Sequence, residues 1–209
     1  MGESHPLDRR ISSFSQTTLS VQCRKRFFLP LFLSPWGAAI MLCLLFRHGI
    51  AISPHEWTGS ELSRPLTKEG IVKTRKAAEG LRALNMQPTH ILCSPLARTQ
   101  ETALIAKESL GIASDIQLCP ELVFDQSPSL LFPILNQLSP NASVLCVGHE
   151  PHLGQTAALM ISGKECPGLS LKKAGAVLVS FEGDVRPGRG YLEWWIPPAQ
   201  LRMLGKGDQ

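Results

Sequence analysis

Three short segments hold the side chains best suited to chemistry: Arg47-His48-Gly49, Ser94-Pro95-Leu96-Ala97-Arg98-Thr99 and Gly148-His149-Glu150-Pro151. Arginine stays charged and presents a planar fork of donors that matches the oxygens of a phosphoryl group. Imidazole offers a lone pair near neutral pH, and two neighbouring guanidiniums disfavour its protonation, so His48 beside Arg47 and Arg98 reads as a neutral nucleophile. Attack of such an imidazole on phosphorus gives a phosphohistidine, which water then hydrolyses. His149 suits the companion task of stabilising the equatorial oxygens of the transition state. An isolated Arg-His-Gly is common by chance, and its weight here comes from three segments that agree.

For these residues to act together they must be delivered to one place. Residues 41–46, 90–94 and 144–148 are short, continuously apolar runs, the pattern of parallel strands covered on both faces. Each run ends in one of the three segments, with Arg98 and likewise His149 expected in the first turn of a following helix. Residues 67–84 read as a helix opened by Thr67 as cap, with Ile71, Ala78, Leu81 and Leu84 at helical spacing. Residues 96–110 read as a second helix stopped by Gly111. Residues 128–138 and 152–162 read as two more, and 176–181 with 190–196 as a terminal pair of strands. The order predicts an α/β, three-layer αβα domain with a mostly parallel central sheet, whose ligand lies beyond the carboxyl ends of the strands.

Composition bounds the rest. The 209 residues carry a formal net charge of +4, of which residues 1–40 contribute +3 through Arg9, Arg10, Arg24, Lys25 and Arg26 against Glu3 and Asp8. The remainder is close to neutral, so nucleic acid is not an expected partner. The chain divides into an N-terminal extension, residues 1–40, disordered or preceding the true start, and a single domain over 41–209. The basic flank Arg24-Lys25-Arg26 before an apolar stretch imitates a secretory signal, but it begins too far into the chain and is interrupted by Pro30 and Pro35. No membrane association is expected. Cys43, Cys93, Cys119 and Cys146 sit in or beside apolar runs with no CxxC pair, which favours a reducing, cytoplasmic setting. A monomer is expected.

Taken together, the three segments resemble the histidine phosphatase superfamily, the phosphoglycerate mutase-like fold. The short chain, Arg64-Pro65-Leu66-Thr67-Lys68-Glu69-Gly70 and the Pro120-Glu121-Leu122 step resemble its SixA type of phosphohistidine phosphatases. The likeness spans about residues 41–204. It implies His48 as the phosphorylated nucleophile, Arg47, Arg98 and His149 as phosphoryl ligands, and Arg64 as a further arm reaching the pocket. No cofactor and no metal is expected. Many members place an acidic proton donor after the third strand; Glu121 is the nearest match here and Asp125 the next, and neither lies in a clean motif. A poor acid matters little when the leaving group is imidazole, so the expected substrate is phosphohistidine in a protein such as a phosphotransfer domain. Two alternatives stand beside it: a phosphatase of a small phosphomonoester, and a phosphate-binding module without turnover. The short segment 50–63 and the lack of a long insertion after Arg98 favour a site open to a protein surface.

Other readings of the same residues are weaker. His149 and His152 have the spacing of two metal ligands, but no cysteine or carboxylate cluster completes a site. Arg98 can pair with Glu101 on its own helix. Cys93 and Arg98 are one residue too close for a thiol phosphatase loop, and Trp194-Trp195 reads as strand packing.

Overall fold

The computed structural model describes residues 39–206. The proposed extension therefore lies, but for its last two residues, outside the described part. Six strands form one sheet: β1 (Ile40–Arg47), β2 (His90–Cys93), β3 (Ile116–Leu118), β4 (Ser143–Gly148), β5 (Ala176–Glu182) and β6 (Tyr191–Ile196), in the spatial order β3-β2-β4-β1-β5-β6. β3, β2, β4 and β1 run parallel, and β5 and β6 are added antiparallel.

Among the described residues five α-helices accompany them: α1 (Lys68–Ala83), α2 (Ala97–Leu110), α3 (Leu131–Leu135), α4 (His152–Ser162) and α5 (Pro198–Leu204). Alternation along β1 shows why three layers form. Leu42, Leu44 and Phe46 pack with Ala77, Ala78 and Leu81 of α1, Ala103 and Ala106 of α2 and Leu201 of α5. Met41, Cys43 and Leu45 face the other way, onto Leu131 and Leu135 of α3 and Leu153, Ala157 and Met160 of α4. Both faces are buried, which is why the strands read as continuous apolar runs rather than alternating ones.

Local chemistry sets the helix ends. The Thr67 hydroxyl accepts from the Gly70 amide and caps α1, a contact worth about 1 kcal/mol. Gly111 ends α2 in the left-handed conformation at φ 68°. The helix expected over 128–138 is shorter: a 3-10 turn, Pro128–Leu130, leads into the five residues of α3. Pro128 and Pro133 supply no amide donors there, so a longer hydrogen-bonded helix is not formed. Neither β3 nor α5 is announced by a pattern in the sequence. α5 lies on α1 so closely that a Cβ at Gly80 would stand 2.0 Å from the Leu201 carbonyl oxygen. Among the described residues no helix is long and apolar enough to cross a membrane.

β4 enters the sheet between β1 and β2, although it comes after both in the chain. The order of strands therefore reverses around it, and a crevice opens beyond the carboxyl ends of these three strands. Register brings the ends level, with Arg47 opposite Gly148 and Cys93 opposite Val147.

Candidate active site

The three segments converge in that crevice. The His48 amide donates to the Gly148 carbonyl at 3.1 Å and the Ser94 amide to the Val147 carbonyl at 3.0 Å, so each loop starts from a neighbouring strand. His48 is 6% exposed, Arg98 3% and His149 2%. The two imidazole rings lie 5.1 Å apart between centroids, tilted by 56°. Gly49 is needed for this approach: a Cβ there would stand 2.1 Å from Thr74 Oγ1 of α1. Its amide donates to Thr102 Oγ1 at 3.1 Å, which ties the strand end to α2.

Hydrogen bonds fix which nitrogen of each histidine is available. His48 Nδ1 lies 2.7 Å from the Gly49 carbonyl oxygen, which only accepts, so Nδ1 carries the proton and Nε2 holds the lone pair. His149 pairs through Nε2 with Ser94 Oγ at 2.8 Å, and its Nδ1 is buried without a protein partner. When the serine hydroxyl donates to Nε2, Nδ1 bears the hydrogen and can donate it to a ligand. Burial holds both rings neutral: His48 is lowered to about 3, with help from Arg98, Arg47 and Lys173, and His149 to about 2, with help from His48 and Arg98.

The guanidiniums are anchored on one side and unpaired on another. Arg47 Nη1 donates to the Leu171 carbonyl at 2.6 Å. Arg98 Nη2 meets Glu61 Oε1 at 3.0 Å and its Nη1 the Glu61 carbonyl at 3.2 Å. Arg47 Nε and Arg98 Nε are buried with no protein acceptor. With His149 Nδ1 they are three buried nitrogens without a protein partner, two of them on charged groups. Unpaired buried donors are costly unless an acceptor meets them; a tetrahedral oxyanion has oxygens for all three.

Arg64 reaches this site through a carboxylate that no sequence motif marks. It binds Glu61 in a fork, Nε to Oε2 at 2.8 Å and Nη2 to Oε1 at 2.7 Å, and donates from Nη1 to the Ile52 carbonyl at 2.6 Å. Glu61, in the 3-10 turn Glu61–Ser63, thereby bridges Arg64 and Arg98, and the Arg64 fork holds its carboxyl below the usual range. Arg98 thus pairs with Glu61 rather than Glu101, whose carboxylate instead accepts from the Leu66 amide at 2.8 Å. A contact spanning 37 residues of chain leaves no local signal.

One expectation changes. His149 is not in the first turn of a helix: α4 begins at His152, and His149 stands on the loop before it, where its backbone carbonyl accepts the Leu153 amide at 2.8 Å. Glu121, in the turn Pro120–Leu122, accepts from the Cys119 thiol at 3.3 Å and has no hydrogen bond to either site histidine, and Asp125 is exposed. Phe124 belongs to none of the motifs, yet its ring meets His149 edge-on at 5.8 Å. His152 lies buried in α4, lowered to about 4 by burial, and burial pushes the Cys93 thiol up to about 12, far from a thiolate nucleophile.

A parallel-stranded α/β sheet with a neutral histidine and a cluster of arginines at the strand ends defines a phosphoryl-transfer site of the histidine phosphatase class. A family model described as histidine phosphatase superfamily (branch 1) matches residues 43–123. An uncharacterized protein of Picosynechococcus sp. is 34% identical over 135 residues, covering 63% of this chain and 80% of the relative. Phosphohistidine phosphatase SixA of Escherichia coli is 27% identical over 165 residues, covering 78% of this chain and 98% of that protein. The solved structure of the protein histidine phosphatase SixA complexed with tungstate superposes with a TM-score of 0.68 at 26% identity, covering 77% of this chain and 99% of the other. The chain belongs to the histidine phosphatase superfamily as a member of the SixA type, and it is a phosphatase.

Proposed function

We propose that the protein removes the phosphoryl group from phosphohistidine in a protein, with His48 as nucleophile. The observation that carries the nucleophile is the 2.7 Å contact of His48 Nδ1 with the Gly49 carbonyl, which leaves Nε2 as the attacking atom. In the first step a bond forms between Nε2 and phosphorus while the phosphorus–nitrogen bond of the substrate breaks. The departing imidazole leaves neutral when its far nitrogen carries a proton. In the second step water adds to phosphorus as the bond to Nε2 breaks. Dihydrogen phosphate leaves, and His48 returns neutral with its proton still on Nδ1. Arg47, Arg98 and His149 supply the donors that face the equatorial oxygens in both steps, held in place before the reaction begins.

The choice of phosphohistidine rests on the acids. Glu61 is held ionised by two arginines and Glu121 is engaged with Cys119, so neither stands ready to protonate an alkoxide. Proton donation is worth about a hundred- to ten-thousandfold for such leaving groups, and imidazole does without it. The similarity to SixA proteins, one of them solved with tungstate, a tetrahedral oxyanion, supports the same substrate class. Purified protein is expected to release phosphate from a histidine-phosphorylated phosphotransfer domain faster than from p-nitrophenyl phosphate or sugar phosphates. The opposite ranking would assign it to small esters. His48→Ala is expected to abolish both turnover and acid-labile self-phosphorylation; a wild-type chain lacking both would be a binding module.

A further inference from the structure

We infer that Lys173 is an additional substrate-binding residue, whose ammonium engages the phosphoryl group from the open side of the pocket. The inference rests on the reading of this pocket as a phosphoryl site, and it adds a contact that the three strand-end segments do not contain.

Its basis is the turn formed by residues 172–175. The Ala174 amide donates at 3.1 Å to both the Arg47 and the His48 carbonyls, and the Arg47 amide donates to the Gly175 carbonyl at 3.1 Å. The Gly175 amide closes the turn onto the Lys172 carbonyl at 2.7 Å. The segment before β5 is thus bolted to the two residues at the heart of the site. Ala174 adopts φ 60°, a left-handed conformation that costs a residue with a Cβ about 1–2 kcal/mol. Two bonds to consecutive carbonyls hold it there, so the backbone of Lys173, the residue before it, is fixed beside the end of β1 that carries Arg47 and His48.

Charge then gives the lysine its task. Lys173 lies near enough to Arg47, Arg64 and His48 for its charge to be felt by all three, and burial together with the two arginines lowers it from the usual lysine range. Among the described residues it makes no ion pair with a carboxylate. Arg64 and Arg98 act on Glu61, Arg47 on Glu150, and Lys173 on Arg47 and Arg64. Four cations against two anions, with both histidines neutral, leave two positive charges, the complement of a phosphoryl dianion. Arg98 and Arg64 are committed to Glu61 and Arg47 lies beside Glu150, so Lys173 is the cation without a carboxylate of its own. It remains exposed at the rim, where it meets the substrate first.

Lys173→Met, which keeps the stem and removes the charge, and Lys173→Arg are compared with wild type. The measurements are turnover of phosphoramidate and of a histidine-phosphorylated phosphotransfer domain, and equilibrium binding of orthovanadate. In Lys173→Met, KM for both substrates and Kd for orthovanadate are expected to rise about five- to tenfold with kcat nearly unchanged, as for a contact made equally in ground and transition states. Lys173→Arg restores them, and the difference shrinks between about 20 mM and about 300 mM salt, because the ammonium is exposed. Unchanged orthovanadate binding in Lys173→Met overturns the inference. So does a rise in KM confined to the protein substrate, which would make Lys173 a reader of acidic groups beside the phosphohistidine. A fall in kcat that arginine fails to rescue would assign the turn a structural role only. If the wild type turns over neither substrate, the proposed reaction fails, while orthovanadate binding still decides the role of Lys173.

Discussion

The neutral histidines at the centre of this site should make the protein sensitive to acid, and the size of the effect can be worked out. His48, His149 and His152 are all buried and lowered from 6.5, to about 3, about 2 and about 4. Well above pH 6.5 they are neutral in both folded and unfolded chains and add nothing to the pH dependence. Below it the unfolded chain takes up three protons that the folded chain refuses, so stability falls as pH falls until the folded values are reached. Each histidine then costs about 1.4 kcal/mol per pH unit, and the three together approach about 4 kcal/mol per unit near pH 5.5. At pH 5 the loss is about 6 kcal/mol, within the whole stability of about 5–15 kcal/mol expected of a domain. Glu150, raised by burial, opposes this only partly. Urea unfolding monitored by tryptophan fluorescence from about pH 7.5 down to about pH 5 measures the slope directly. Replacing His149 with Asn should flatten it by about one third. A wild-type slope below about 1.4 kcal/mol per unit at pH 5.5 would mean that fewer than one proton is taken up on unfolding. That result would sink the claim that the site holds its imidazoles neutral, and with it the electrostatic case for His48 as nucleophile.

Other substitutions test separate parts of the site. Arg98→Ala removes a buried donor whose Nε has no protein partner, and kcat/KM should drop by about a hundred- to a thousandfold in a phosphate-release assay. Ser94→Ala releases the Nε2 of His149 from its 2.8 Å partner and frees the tautomer; activity should fall about tenfold, with a stability loss of about 1–3 kcal/mol in chemical denaturation. Glu121→Gln should leave phosphohistidine turnover within about threefold of wild type, whereas a loss of about a hundredfold or more would make Glu121 a general acid after all. Gly49→Ala places a Cβ 2.1 Å from Thr74 Oγ1; a lower melting temperature equivalent to about 1–3 kcal/mol is expected, partly recovered by Thr74→Ala in the same chain.

The strand ends were legible in the sequence. Continuous apolar runs announce strands buried on both faces, and the residues just after each run must lie at a sheet edge, so Arg47-His48, Arg98 and His149 could be gathered from the order of residues alone. Thr67 and Gly111 marked helix ends by capping chemistry that is local by nature. The missed features are those whose cause is distant in the chain. β3 has three residues, two of them exposed, too few for any periodicity. α5 is stabilised by its seat on Gly80 of α1 rather than by a pattern of its own. Glu61 looks like a surface carboxylate until α2 brings Arg98 to it, and Lys173 looks like one of a pair of surface lysines until Ala174 bonds to the strand end.

The division between these two groups matches the division of labour in the site. Residues legible from sequence are fixed by the sheet and would contact the phosphoryl group from below. Glu61 and Phe124 come from segments outside the strands and form a rim of short turns beside Arg98 and His149. A sheet-fixed floor sets the reaction, because donor placement around phosphorus needs geometry that does not yield. The rim sets which phosphorylated molecule reaches it, and a rim made of short turns can differ between relatives without disturbing the floor. Exposed Leu62, beside Glu61, and exposed Phe124 add apolar surface to that rim. Such surface offers little to a phosphorylated sugar and more to the face of a protein around its phosphohistidine. The floor thus argues for phosphoryl transfer through His48, and the rim for a protein as its donor.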